Sequence, residues 1–143
     1  MSRWAWLATV AIGCGHPAAP VTPAPGTRPP TAARLDDDLP RLAERMATLY
    51  RDWARAFAEA GVDCAAATTK VDALATANQD VIDAGRRVLA AGHAKIVALR
   101  EARQPYDAEI DANAKAIFGS PTLAKCKDNH ELMRALDRFG GEQ

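Results

Sequence analysis

From Leu35 onward, apolar residues recur at helical spacing. Leu39, Leu42, Met46, Leu49, Trp53, Phe57 and Ala60 follow one another in steps of 3, 4, 3, 4, 4 and 3. That spacing lines one face of a helix of 3.6-residue period. Arg41, Glu44, Arg45, Arg51, Asp52, Arg55 and Glu59 fall mostly on the other side. Asp36, Asp37 and Asp38 stand where acids favour a helix N-terminus, and Pro40 falls in the first turn, where a missing N–H is tolerated. Gly61 reads as the C-terminal cap. The pattern predicts a first helix roughly 35–40 Å long at 1.5 Å per residue.

Asp63 reads as the N-cap of a second helix. Its apolar face runs through Val71, Leu74, Asn78, Val81, Gly85, Val88 and Gly92, widened by Ile82 and Leu89. Ala91-Gly92-His93 predicts a break. The pattern then continues through Ile96, Leu99, Tyr106, Ile110, Ala114 and Ile117, with Pro105 kinking or beginning a segment. Gly119-Ser120-Pro121 combines a stop, a cap and a first-position proline. A last short helix is expected over Glu131 to Phe139, with Asp128 and Glu131 at capping-box spacing. No stretch alternates long enough to predict a strand. The expected fold is all-α, an antiparallel bundle of three or four helices over residues 35–143. One long helix over 64–118 is the alternative, and Gly92 and Pro105 argue against it.

The chain ahead of the bundle has a different grammar. Between residues 15 and 34, prolines at 17, 20, 23, 25, 29 and 30 exclude helix. Such a stretch buries no core and favours extended polyproline II, reaching up to roughly 60 Å at about 3.1 Å per residue. Pro20-Val21-Thr22-Pro23 has the spacing of a ligand for a proline-recognising module, but a spacer is the simpler reading. His16 in this stretch is expected to be solvated.

Before the tether, Arg3 supplies a positive charge, Trp4 to Ile12 a short apolar run and Gly13 a small residue. These are the parts of an export signal. The run is far shorter than the roughly 20 residues a membrane-spanning helix needs. Ala11-Ile12-Gly13-Cys14 resembles the lipobox of bacterial lipoproteins, with Ala11 where leucine is usual. The resemblance implies a signal peptide over 1–13, diacylglycerol transfer to the Cys14 thiol, cleavage before Cys14 and acylation of the new amino terminus. It also implies a membrane anchor followed by a linker over 14–34. Gly15 stands where lipoproteins kept at an inner membrane commonly carry aspartate, which favours an outer-membrane destination.

Composition narrows the functional classes. Lys plus Arg and Asp plus Glu both number 18, so the net charge is zero. That balance argues against a nucleic-acid partner and against a polybasic grip on anionic lipid. Much of the 48% hydrophobic content is alanine and only 6% of the chain is aromatic. Such a core buries little area per residue and gains from a staple. Cys64 at the start of the second helix and Cys126 beyond the third meet at one end of an antiparallel hairpin, and an exported protein keeps disulfides. A Cys64–Cys126 bridge is expected. Free thiols and a metal or haem site are the alternatives. The layout is also similar to that of small helical lipoproteins with one cysteine at a helix start and another before a short terminal helix, a resemblance that implies no activity.

Candidate chemistry is sparse. Haem-carrying bundles of the cytochrome b562 type use a methionine on the first helix and a histidine on the last, and Met46 and His130 occupy those helices. Met46 lies two turns further in than that family places its ligand, and no C-x-x-C-H occurs. Cys126 and His130, four apart around Asp128, make neither a zinc set nor a nucleophile with its third partner. His93 falls at a turn, Asp107, Glu109 and Asp111 point around a helix, and no glycine-rich phosphate loop exists. No catalytic residue, metal or cofactor is expected, and the chain is read as not an enzyme. The expected role is structural or protein-interacting in the cell envelope, anchored through Cys14, with an envelope protein as partner. Trp53 and Phe57 would be contact residues if exposed, but their place on the apolar face predicts core.

Overall fold

Asp38 sets the start of the first helix, α1 (Leu39–Ala60): its carboxylate accepts the Arg41 N–H at 3.2 Å, with Pro40 in the first turn. Gly61 ends α1 at φ +58°, its N–H bonded to the Phe57 carbonyl. Asp63 caps α2 (Cys64–Ala77) by accepting the N–H groups of Ala65 and Ala66, both at 3.0 Å. After α3 (Gln79–Ala90), Gly92 at φ +94° makes the expected break into α4 (His93–Arg103). A 3-10 turn at Gln104–Tyr106 carries Pro105 and leads into α5 (Asp107–Phe118). Ser120 caps α6 (Pro121–Cys126) by accepting from Leu123 N–H, and α7 (His130–Gly140) closes the order. A further 3-10 turn, Leu35–Asp37, precedes α1.

The computed structural model describes residues 33–140. The expected signal peptide over 1–13, Cys14 and the tether up to residue 32 lie outside the described residues. Among those described there is no strand, and the fold is all-α. No helix of theirs is long and apolar enough to cross a membrane.

Cross-links between helices fix the directions of the bundle. Arg45 near the start of α1 pairs with Asp80 at the start of α3, and Glu59 near its end pairs with Lys70 in α2. Hence α2 and α3 together run back along α1. Arg51 pairs with Glu109 in α5, and Phe57 shares a core with Ile117, so α4 and α5 run the same way as α1. The last helix, α7, returns: Arg138 reaches Asp72 at 3.1 Å, and Phe139 stacks on Trp53. Four arms thus alternate in direction along the chain, as the expected antiparallel bundle requires.

Two apolar clusters fill it. One centres on Phe57, Val71, Ile117, Cys126 and Leu132; the other on Leu35, Leu42, Leu49, Val81 and Val88. Phe139 packs against both. Around them, Ala43, Ala47, Ala67, Ala75 and Ala84 are fully or almost fully buried, which lets the helix backbones approach closely.

Three details depart from the sequence pattern. The second arm breaks at Asn78, which the periodicity had placed within one continuous face. Its side-chain amide and its backbone N–H both donate to the Leu74 carbonyl at 3.0 Å, and asparagine's local side-chain bonding suits it to a helix end. Past the break the buried set is Val81, Ile82, Ala84 and Val88, and Leu89 is 63% exposed rather than part of the core. The cap of α7 is Asn129, whose side chain accepts from Leu132 N–H at 2.9 Å, not Asp128, because the helix begins one residue later than the capping-box spacing implied.

Candidate functional site

Cys64 opens α2 and Cys126 closes α6, at the end of the bundle where α1 also turns. Their sulfurs lie 2.06 Å apart with Cα atoms at 5.6 Å, a disulfide pair. Cys126 is buried within the first apolar cluster, and Cys64 packs against it. Beside them, Thr122 is fully buried. Its hydroxyl donates to the carbonyl of Phe57 at 2.8 Å and also contacts the carbonyl of Gly61. The Phe57 carbonyl already accepts the Gly61 N–H, whereas the Gly61 carbonyl lies past the end of α1, where the helix supplies no donor. No local pattern signals this bond, because Thr122 and Phe57 are 65 residues apart.

At the level of α1's middle, the bundle is not filled. A cleft of about 230 Å³ opens there, walled by Met46 and Trp53 of α1, Gly85 and Leu89 of α3, Leu99 of α4 and Phe139 of α7. Its lining is overwhelmingly apolar. The indole of Trp53 stacks on Phe139 at 4.8 Å between ring centres, and meets Phe57 edge-on at 6.2 Å. The Trp53 Nε1 donor is buried and has no acceptor among the described residues. A buried donor left unpaired costs about 1–3 kcal/mol.

Two further features shape the wall. Gly85 sits inside α3 with a helical backbone, and a Cβ added to it would meet nothing within 4 Å. Glycine inside a helix costs about 1 kcal/mol relative to alanine, and here no close approach requires it. Its missing side chain is open space on the cleft. Second, α4 buries no residue at all, and it is bounded by Gly92 on one side and the Pro105 turn on the other. Arg86 completes the rim, half-exposed, with one donor on the Arg138 carbonyl at 3.0 Å and Asp83 at 3.6 Å.

The chemical constellations considered from sequence do not assemble. Met46 and Phe139 share the cleft, while His130 lies nine residues before Phe139, about 13 Å back along the α7 axis. It is exposed at the first turn. The structure therefore does not bring Met46 and His130 to one iron. His93 is exposed at the start of α4. Asp107 pairs with Arg103 at 2.8 Å and Glu109 with Arg51, so these acids are absorbed into surface ion pairs. Among the described residues no group of three or more His, Cys, Asp or Glu side chains could hold a metal ion. Phe57 is core, as its spacing predicted, and Trp53 is core on one side and cleft wall on the other.

Electrostatics add one feature. Asp36 is buried against α3, where Arg87 donates to it at 2.7 Å and Arg34 at 3.0 Å. Burial pushes its carboxyl upward, but the hydrogen bonds from Arg87 and then Arg34 outweigh that and hold it below the usual aspartate value. No protein-family model, curated protein or solved structure matches this chain.

Proposed function

We propose that this chain is a lipid-anchored protein of the bacterial cell envelope, whose helical body is a non-enzymatic interaction module held away from the membrane by a proline-rich tether. The observation that carries this reading is the pairing of Cys64 with Cys126. Disulfides persist in exported proteins and are rare in the reducing cytosol. The chain has 3 cysteines, so the pairing leaves Cys14 over. Thioether lipidation accounts for an odd cysteine placed directly after a short apolar run and a small residue. One chain gives only marginal anchoring, while the two or three chains of a processed lipoprotein hold firmly, at about 0.8 kcal/mol per buried CH₂. The zero net charge fits a module that binds neither nucleic acid nor anionic lipid through a basic face.

The test is metabolic labelling with palmitate in a bacterial host that processes lipoproteins. The full chain is expected to take up label and to begin at a diacylglyceryl-modified Cys14 by mass spectrometry. Cys14→Ser should abolish the label, while Cys64→Ser and Cys126→Ser should keep it. An unlabelled, unprocessed wild-type chain sinks the anchor. Crosslinking in intact cells then identifies the envelope partner, and the absence of any crosslinked neighbour sinks the interaction role.

A further inference from the structure

The geometry points to the cleft between α1, α3, α4 and α7 as a binding site for a medium-chain carboxylate, its alkyl chain against Trp53 and Leu99 and its carboxylate at Arg86. The inference stands apart from lipidation at Cys14, since every residue it uses lies in the helical body.

Four observations converge on it. The cleft measures about 230 Å³ and is apolar. An apolar cavity of about 150 Å³ takes up benzene, so by the same scaling this one holds a chain of roughly eight or nine carbons. Gly85 leaves the cavity open from the α3 side, although nothing nearby would obstruct a side chain there. Beside it, α4 contributes Leu99, fully buries no residue of its own and turns at Gly92 and at the Pro105 segment. Ile96 and Leu99 pack on the second cluster without being fully buried, and a helix held this way opens locally more readily than the buried arms, which provides a way in.

The polar groups select the class of ligand. The lining is almost wholly apolar, and the Arg86 guanidinium stands at its rim as a donor. Asp83 lies 3.6 Å from Arg86 but itself accepts from Gln79 at 3.0 Å, and Arg86 uses one further donor on the Arg138 carbonyl. A guanidinium carries five donors in a fork that matches a carboxylate, so an anionic head group is accommodated without breaking these bonds. A cationic head would meet Arg86 directly.

The experiment is calorimetric titration of the full chain with octanoate, octanol and octylammonium, all below their aggregation concentrations. Octanoate is expected to bind at one equivalent, with octanol weaker by about tenfold, the usual worth of a charge-assisted hydrogen bond. Octylammonium should be weaker still. Gly85→Leu fills the cleft and should abolish octanoate binding while leaving helix content and thermal midpoint equal to or above wild type. Arg86→Gln should keep octanol binding and lose the preference for octanoate. The proposal is overturned by no saturable octanoate binding, by octanoate binding that survives in Gly85→Leu, or by octylammonium binding as tightly as octanoate.

Discussion

The Thr122 hydroxyl closes the end of α1 from 65 residues away, donating to the Phe57 carbonyl at 2.8 Å while it lies fully buried. It also touches the Gly61 carbonyl, so one side chain serves two acceptors at the point where α1, α2 and α6 meet. Thr122→Val keeps the shape and removes the donor. The Phe57 carbonyl keeps its bond from the Gly61 N–H, while the part-buried Gly61 carbonyl loses its donor, and the expected loss is about 1 kcal/mol of unfolding free energy. Thr122→Ser keeps the donor and should retain most of it. Urea denaturation of both variants reads the difference; equal stability of Val and wild type would show that the bond contributes nothing.

The disulfide fastens the same end. Cys64 and Cys126 are 62 residues apart in sequence, and the chain-entropy model assigns a loop of that length about 4 kcal/mol. Reductant should therefore lower the denaturation midpoint of the wild-type chain markedly. The double variant Cys64→Ser, Cys126→Ser should start at the reduced value and ignore reductant. If wild type and double variant share one midpoint under oxidising conditions, the bridge does not stabilise the fold.

Most of the fold was legible because it rests on short-range rules. The caps at Asp38, Asp63, Gly61 and Ser120 and the break at Gly92 are local chemistry, and local chemistry is written within a few residues of where it acts. The cysteine pairing was legible by one further step, since alternating arms bring Cys64 and Cys126 to one end. What was not legible is long-range or depends on orientation. Asn78 holds a position on the helical face, yet α2 ends there, with its side-chain amide and its backbone N–H both on the Leu74 carbonyl. Asp36 reads in sequence as one of three helix-start acids, and only the approach of Arg87 from 51 residues away makes it a buried ion pair. The cleft depends on what four arms fail to fill. Its one sequence sign was a glycine inside an otherwise helical, apolar face at position 85.

That buried pair gives the stability a pH dependence of known sign. The Asp36 carboxyl is held below its ordinary value in the folded state. A group lowered on folding contributes stability above its unfolded pKa, and that contribution is lost as the pH falls through the folded value. Wild type should thus weaken as the pH falls below the ordinary aspartate value of 3.8. Asp36→Asn should be less stable than wild type at neutral pH, and the gap should close in acid. Glu59, lowered by its hydrogen bond from Lys70, acts in the same direction at the surface. Thermal melts of wild type and Asp36→Asn from pH 7 to pH 2 give the answer, and parallel curves over that range would remove Asp36 from the acid response.

Two glycines of the second and third arms should respond to alanine in opposite directions. Gly92 has φ +94° and ψ −175°, a region that residues with a Cβ rarely adopt. An added Cβ would meet nothing within 4 Å there, so the effect of Gly92→Ala is backbone strain alone. Such strain costs about 1–3 kcal/mol. It should act on the α3–α4 junction first, raising amide exchange along α4, which has no buried residue to hold it. Gly85 is the reverse case. Its backbone is already helical and its surroundings are equally open, so Gly85→Ala should stabilise by about 1 kcal/mol through helix propensity and a less flexible unfolded chain. Denaturant titration of the two single variants checks both signs at once. A common sign would mean that one of these glycines is held in place by something other than its backbone conformation.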